Sequence, residues 1–183
     1  MRIRRLDPEQ ASAAVPALAE LLIDCVEGGA SVGFMLPIDY ERACSFWRKV
    51  AEGVARGERA LLVAEDSSGL VIGTAQLLLA MPENQPHRAD VAKMLVHRRA
   101  RRRGVAQALL DGLEVTAREE GRSLLVLDTV SDSAAARLYV RCGWQRSGEI
   151  PDYALMPAGG LCPTTVYWKR LAVACRASDA ETV

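Results

Sequence analysis

The apolar positions of this chain follow two rhythms, one helical and one strand-like, separated by clusters of Gly, Pro, Ser and acidic residues. Arg2 to Leu6 reads as a short strand. "DPEQ" then opens a helix, with Asp7 as N-cap, Pro8 in the first helical position and Gln10 placed to close a capping box. Val15, Leu18, Leu21, Leu22 and Val26 keep the helical period until "EGG" stops it. A second helix is expected from Asp39 to Val54, with Phe46, Trp47 and Val50 on one face. The runs "RALLVAED" and "LVIGTAQLLLAM", joined by "SSG", form a hairpin of nearly continuous apolar strands, as burial on both faces requires. "PENQPH" is a loop and "RADVAKMLV" a third strand of this group. An arginine-rich loop leads into a helix from Gly104 to Glu120, closed by Gly121. "SLLVLDTV", "DSAAARLYVRC", "GWQRSGEI" and "TTVYWKRL" complete the chain as strand, helix, strand and strand.

The order is therefore β, α, α, β, β, β, α, β, α, β, β, which defines an α/β fold with a mixed central sheet. Its β-α-β-α centre calls for parallel pairing of the strands at 89–96 and 123–129. No internal repeat or second domain interrupts residues 1–171, and residues 172–183 read as a polar, frayed tail.

Composition narrows the class. With half of 183 residues apolar, the chain can bury a sizeable core. Lys plus Arg and Asp plus Glu each total 23, so the net charge is zero and any basic character is local. The five cysteines, Cys25, Cys44, Cys142, Cys162 and Cys175, form no CxxC and no metal-ligand spacing with the two histidines. They are expected to be reduced thiols. "MRIRRLDPEQ" has no apolar run behind its charges and no stretch approaches the roughly 20 apolar residues of a membrane span. A soluble, cytoplasmic protein is the expectation.

The local basic character sits in "HRRARRRGVAQALL", His97 to Leu110, with five arginines in seven residues. Three readings compete: a nucleic-acid patch, a solvated turn and a phosphate loop. A glycine-containing turn between a strand and a helix makes a phosphate site, because the first helical amides point unpaired at the turn. The spacing Arg101-x-x-Gly104-x-Ala106 fits that use. It is not the three-glycine dinucleotide fingerprint, and it lacks the Lys-Ser/Thr of the nucleotide P-loop. Neutral net charge and the absence of interleaved aromatics count against nucleic acid.

From "VAKMLVHRRARRRGVAQALLDGLEVTAREEG" through "RSLLVLDTVSDSAAARLYVRCGWQRSGEI", the chain resembles the GCN5-related N-acetyltransferases. R-x-x-G-x-A is similar to their acetyl-coenzyme A pyrophosphate loop, and "AAARLYVRCGW" to their A-x-x-L-Y-x-x-x-G-F/W segment. The likeness runs from Ala60 to Leu171. "QPHRADVAKMLVHRRARRRG", "IPDYALMPAGGL" and "TTVYWKRL" resemble more narrowly the tabtoxin-resistance acetyltransferases, which acetylate a β-lactam amino-acid toxin.

The resemblance implies acetyl-CoA as cosubstrate, no metal, and a small-molecule amine as acceptor. Backbone groups of Met94, Leu95 and Val96 would pair with pantetheine. Arg101, Arg102, Arg103, Gly104, Val105, Ala106 and Gln107 would hold the pyrophosphate, and Tyr139 would face the sulfur as acid. Acetyl transfer to an ammonium also needs a base. Asp90 lies six residues before Val96, where these enzymes commonly carry Glu. Being one methylene shorter, Asp90 calls for a bridging water. Asp128 ends "LLVLD" at the C-terminal edge of a parallel strand, where ligand crevices form. If the two strands end level, six residues, roughly 20 Å at ~3.3 Å each, separate the carboxylates. Each carboxylate also has a bland alternative, Asp90 as a solvated strand start and Asp128 as a loop cap.

Among secondary candidates, His87 is placed to touch substrate, His97 to lie beside the phosphate loop and Trp144 in the core. "FMLPIDYERACSFW" flanks the expected cleft, as acceptor pocket or as core. A protein or peptide acetyltransferase and a nucleic-acid-binding domain remain the other functional readings. The oligomeric state, monomer or homodimer, is open.

Overall fold

The computed structural model describes residues 1–172, so the expected tail, apart from Ala172, and Cys175 lie outside the described residues. The elements are β1 (Arg2–Leu6), α1 (Pro8–Ala13), α2 (Val15–Glu27), α3 (Tyr40–Ala55), β2 (Arg59–Glu65), β3 (Val71–Leu78), β4 (Arg88–Val96), α4 (Val105–Glu119), β5 (Leu124–Val130), α5 (Ala134–Arg141), β6 (Gln145–Leu155) and β7 (Leu161–Arg170). One seven-stranded sheet runs β1-β2-β3-β4-β5-β7-β6. Every neighbouring pair is antiparallel except β4 with β5, the parallel pair that the β-α-β rhythm requires.

Strand alternation splits the core into two layers. On β2, Leu62 and Ala64 face α4 with Leu109, Leu110 and Leu113, while Leu61 and Val63 face α2 and α3 with Leu22, Val26 and Trp47. The Asp7–Gln10 capping box forms as its spacing demands, Asp7 Oδ1 accepting from the Gln10 amide at 2.8 Å.

Two elements depart from the sequence reading. The first helix is two, broken at Ala14. Pro16, in the first turn of α2, has no amide to give to the Ser12 carbonyl, so a continuous helix would lose a bond there. The sixth strand does not stop at Ile150 but continues through Pro151 to Leu155, and β7 begins at Leu161 rather than Thr164. Proline is tolerated in β6 because that strand is the sheet's edge, and the register slips between Ile150 and Ala154. No helix among the described residues is long and apolar enough to cross a membrane.

Candidate active site

The site begins where two strands part. β4 and β5 pair only over Arg88–Asp90 against Leu124–Val126, and β4 then runs on to Val96 without a neighbour on that side. On the other side, Leu95 stands opposite Thr74 and Ala92 opposite Gln76, so Lys93 and Met94 share the single partner Ala75. This is a β-bulge, and Lys93 carries its strain at φ +50°. Beyond it, the His97 amide donates to the Ile72 carbonyl at 3.0 Å. Strand alternation therefore turns the amides and carbonyls of Met94 and Val96 into the gap and commits those of Leu95 to β3. The Val96 carbonyl already accepts from Cys25 Sγ at 3.5 Å and Arg101 Nε at 3.4 Å.

The arginine loop follows as one 3-10 turn, Arg98–Ala100, and a tight passage through Arg102 at φ +60° and Gly104 at φ +78°. Gly104 is the N-cap of α4, and no side chain caps that helix. A Cβ added to Gly104 would meet no protein atom within 4 Å, so its outer side is open. The arginines divide by role. Arg98 is bound to the end of α2, its amide and Nε each 2.8 Å from the Asp24 carboxylate, with Glu27 at 3.4 Å. Burial tends to raise the Asp24 carboxyl, but the Arg98 amide and guanidinium and the nearby His97 bring it below its ordinary range. Arg101 leans the same way, towards Gly28 and the Val96 carbonyl. Arg102 and Arg103 are exposed beside the open face of Gly104.

Two measurements separate these roles. Arg98→Ala is expected to lower the melting temperature by a few degrees, at about 2–4 °C per kcal/mol for a chain of this size, with coenzyme affinity little changed. Arg102→Ala and Arg103→Ala are each expected to weaken coenzyme A binding roughly three- to tenfold at low salt, less at high salt, with unchanged melting. Calorimetry and thermal melts on the three variants check both.

The carboxylates are closer than level strand ends allow. Asp90 pairs with Val126, so Asp128 lies two residues further along the adjacent strand, about 8 Å away at ~3.3 Å per residue and ~4.8 Å between strands. The separation of roughly 20 Å is thereby corrected, because Asp128 is not level with Val96 but with Ala92, four residues before the end of β4. Asp90 is half-buried and bound by Arg88 Nη1 at 2.6 Å. Burial pushes its carboxyl above the ordinary range, Arg88 opposes this and the charge of Asp128 adds to it. Asp128 is exposed and accepts from Thr164 Oγ1 at 2.8 Å.

Tyr139 is 4% exposed, its ring packed on Trp144 at 5.8 Å and Tyr167 at 6.0 Å between centroids. Burial, with the Asp128 and Cys142 charges, pushes its hydroxyl above its ordinary range. Trp144 is core, as expected. His97 Nδ1 accepts from the Arg99 amide at 3.3 Å and lies 3.4 Å from Asp24, beside the arginine loop. The exposed His87 ties the two parallel strands together through its carbonyl, which accepts the Ser123 and Leu124 amides. Of the aromatic stretch, Trp47 is core, while Phe46 lies under Lys93 Nζ, 5.7 Å from the ring centroid. Lys93 is the residue that sequence reasoning missed. A lone cation inside "VAKMLV" was the available signal.

A mixed sheet parted beside its one parallel pair, with an uncapped helix and an arginine-rich turn at the mouth of the gap, is the framework of a coenzyme-dependent acyltransferase. The chain belongs to the Acetyltransferase (GNAT) family, whose model matches residues 17–144. A ribosomal-protein-alanine N-acetyltransferase from Brucella melitensis is 25% identical, over 93% of this chain and 100% of that one, with a TM-score of 0.77. A protein from Salmonella typhimurium assigned as an acetyltransferase, in a structure with its cofactor acetyl-CoA, is 22% identical over 98% of each chain, with a TM-score of 0.77. A protein assigned as a phosphinothricin N-acetyltransferase is 18% identical over 93% of this chain and 98% of that one, with a TM-score of 0.74. The protein is thus an acetyl-transferring enzyme of this family.

Proposed function

We propose that the enzyme acetylates the amine of a small, amino-acid-like molecule, a toxin or antibiotic of the kind the tabtoxin-resistance resemblance suggests. One observation carries this reading. The loop of residues 28–39 passes over Lys93 and is tied to the turn between β6 and β7, the Leu36 amide donating to the Pro157 carbonyl at 2.9 Å and Ser31 Oγ to the Leu155 carbonyl at 3.0 Å. The gap is therefore roofed on the acceptor side, which suits a compact substrate better than an extended peptide. The phosphinothricin neighbour is consistent with it.

The residues present fit acetyl-CoA, because the uncapped amides of α4 and the open face of Gly104 offer an anion cradle. Arg102, Arg103, Gly104, Val105, Ala106 and Gln107 would hold the pyrophosphate, with the Arg101 backbone. Met94 and Val96 would pair with pantetheine, and Leu95 would support them. Bound acetyl-CoA supplies the acetyl group as a thioester. Asp90, directly or through one water, takes the proton of the acceptor ammonium, for which its raised proton affinity suits it. Asp128 orients the amine, and Tyr139, held in the protonated form, gives a proton to the departing sulfur.

A protein acceptor is the second reading, favoured by the ribosomal-protein-alanine enzyme among the neighbours. The two are separated by offering acetyl-CoA with a panel of small amines and, separately, with peptides of free N-terminus, and reading released thiol. Small amines as the better substrates support the proposal. Turnover of peptides alone overturns it.

A further inference from the structure

We propose that Lys93 is the acceptor's anion anchor: the bulge of β4 re-aims its ammonium into the roofed gap, where it holds a carboxylate on the amine-bearing substrate. This rests on the small-molecule reading above and narrows it to amines that also carry an acidic group.

The bulge is the first observation. A regular strand would not need Lys93 at φ +50°, a conformation uncommon for a long side chain, and such strain gathers where a side chain must be aimed. The second is the cation's surroundings. Lys93 is half-buried and makes no hydrogen bond or ion pair among the described residues. Its Nζ lies over the Phe46 ring and 3.8 Å from where a Cβ on Gly33 would stand, beneath the roofing loop. The third is charge placement. Asp128 acts on Lys93 electrostatically without closing an ion pair, Arg59 adds a like charge, and Asp90 sits beside Asp128 but is bound by Arg88. A zwitterionic amine complements this arrangement, ammonium to the carboxylates and carboxylate to Lys93. Phe46, edge-on to Phe34 at 5.3 Å, offers an apolar floor for the carbon between them. Burial lowers the proton affinity of Lys93, so an incoming carboxylate restores a partner that the free enzyme withholds.

The test compares matched acceptors. Glutamine, leucine and tyrosine are each offered beside their α-carboxamides, with wild type, Lys93→Met and Lys93→Arg, and acetyl-CoA affinity is measured in parallel. The wild type is expected to prefer the acids by tenfold or more in kcat/KM. Lys93→Met should erase that preference through KM, Lys93→Arg should restore part of it, and acetyl-CoA affinity should not move. Independently, the Nζ resonance of Lys93, assigned by its loss in Lys93→Arg, should shift saturably with the acids and not with the amides. Acids and amides used equally, a preference that survives Lys93→Met, or an Nζ resonance that no acid moves would each overturn the assignment. Small amines turned over without regard to Lys93 would leave the small-molecule reading standing, whereas turnover of peptides alone would remove both.

Discussion

Tyr139→Phe is expected to lower kcat by roughly 10²–10⁴, the range a positioned general acid contributes, while coenzyme affinity and melting temperature stay close to wild type. The ring makes the packing contacts with Trp144 and Tyr167, and phenylalanine keeps them. What is lost is a hydroxyl whose proton affinity is raised by burial and by the neighbouring Asp128 and Cys142 charges. Because the ring packing is retained, the fold should stay close to unchanged. A fall in kcat and kcat/KM together, without a change in coenzyme Kd, is the signature of an interaction made only in the transition state. Full activity in a folded Tyr139→Phe protein would reduce Tyr139 to a core aromatic.

Gly104→Val is expected to abolish coenzyme A binding in a protein that still folds. At φ +78° a β-branched residue is a genuine outlier, and the left-handed conformation costs about 1–2 kcal/mol for an L-residue. Since a Cβ there meets no protein atom within 4 Å, the strain is expected to relax locally, by turning the first amides of α4 out of position and filling the open face with methyl groups. Losing two charge-assisted hydrogen bonds at ~1.5–3 kcal/mol each weakens binding at least about 100-fold, since ~1.4 kcal/mol is tenfold. Calorimetry on the variant decides it. Unchanged affinity in a folded Gly104→Val protein would remove the loop from the coenzyme site.

Much of this was legible in the residues because it is local. The capping box at Asp7, the helix opened by Asp39, the strand runs and the glycine before α4 each follow from chemistry within a few positions. What was not legible depends on partners distant in sequence. The register that brings Asp128 near Asp90 is set where β4 and β5 diverge, which no single strand records. The bulge that aims Lys93 exists only against β3. The five arginines look alike in sequence, and only the Asp24 and Glu27 carboxylates, which hold Arg98, and the Val96 carbonyl, which holds Arg101, set these two apart from Arg102 and Arg103. The continuation of β6 through Pro151 depends on its place at the sheet's edge, and the break before α2 was not read from Pro16.

The central claim is that a base on β4 and an acid on α5 act across one gap. The pH dependence of kcat/KM for Asp90→Asn and Asp128→Asn, measured side by side on one acceptor, tests it most directly. A general base matters less once the amine is already free, so the loss in Asp90→Asn should be greatest near neutral pH and shrink as pH rises. Asp128→Asn should raise the acceptor KM with little dependence on pH. A pH-independent loss for Asp90→Asn, together with a pH-dependent one for Asp128→Asn, would contradict the account and move the base to β5.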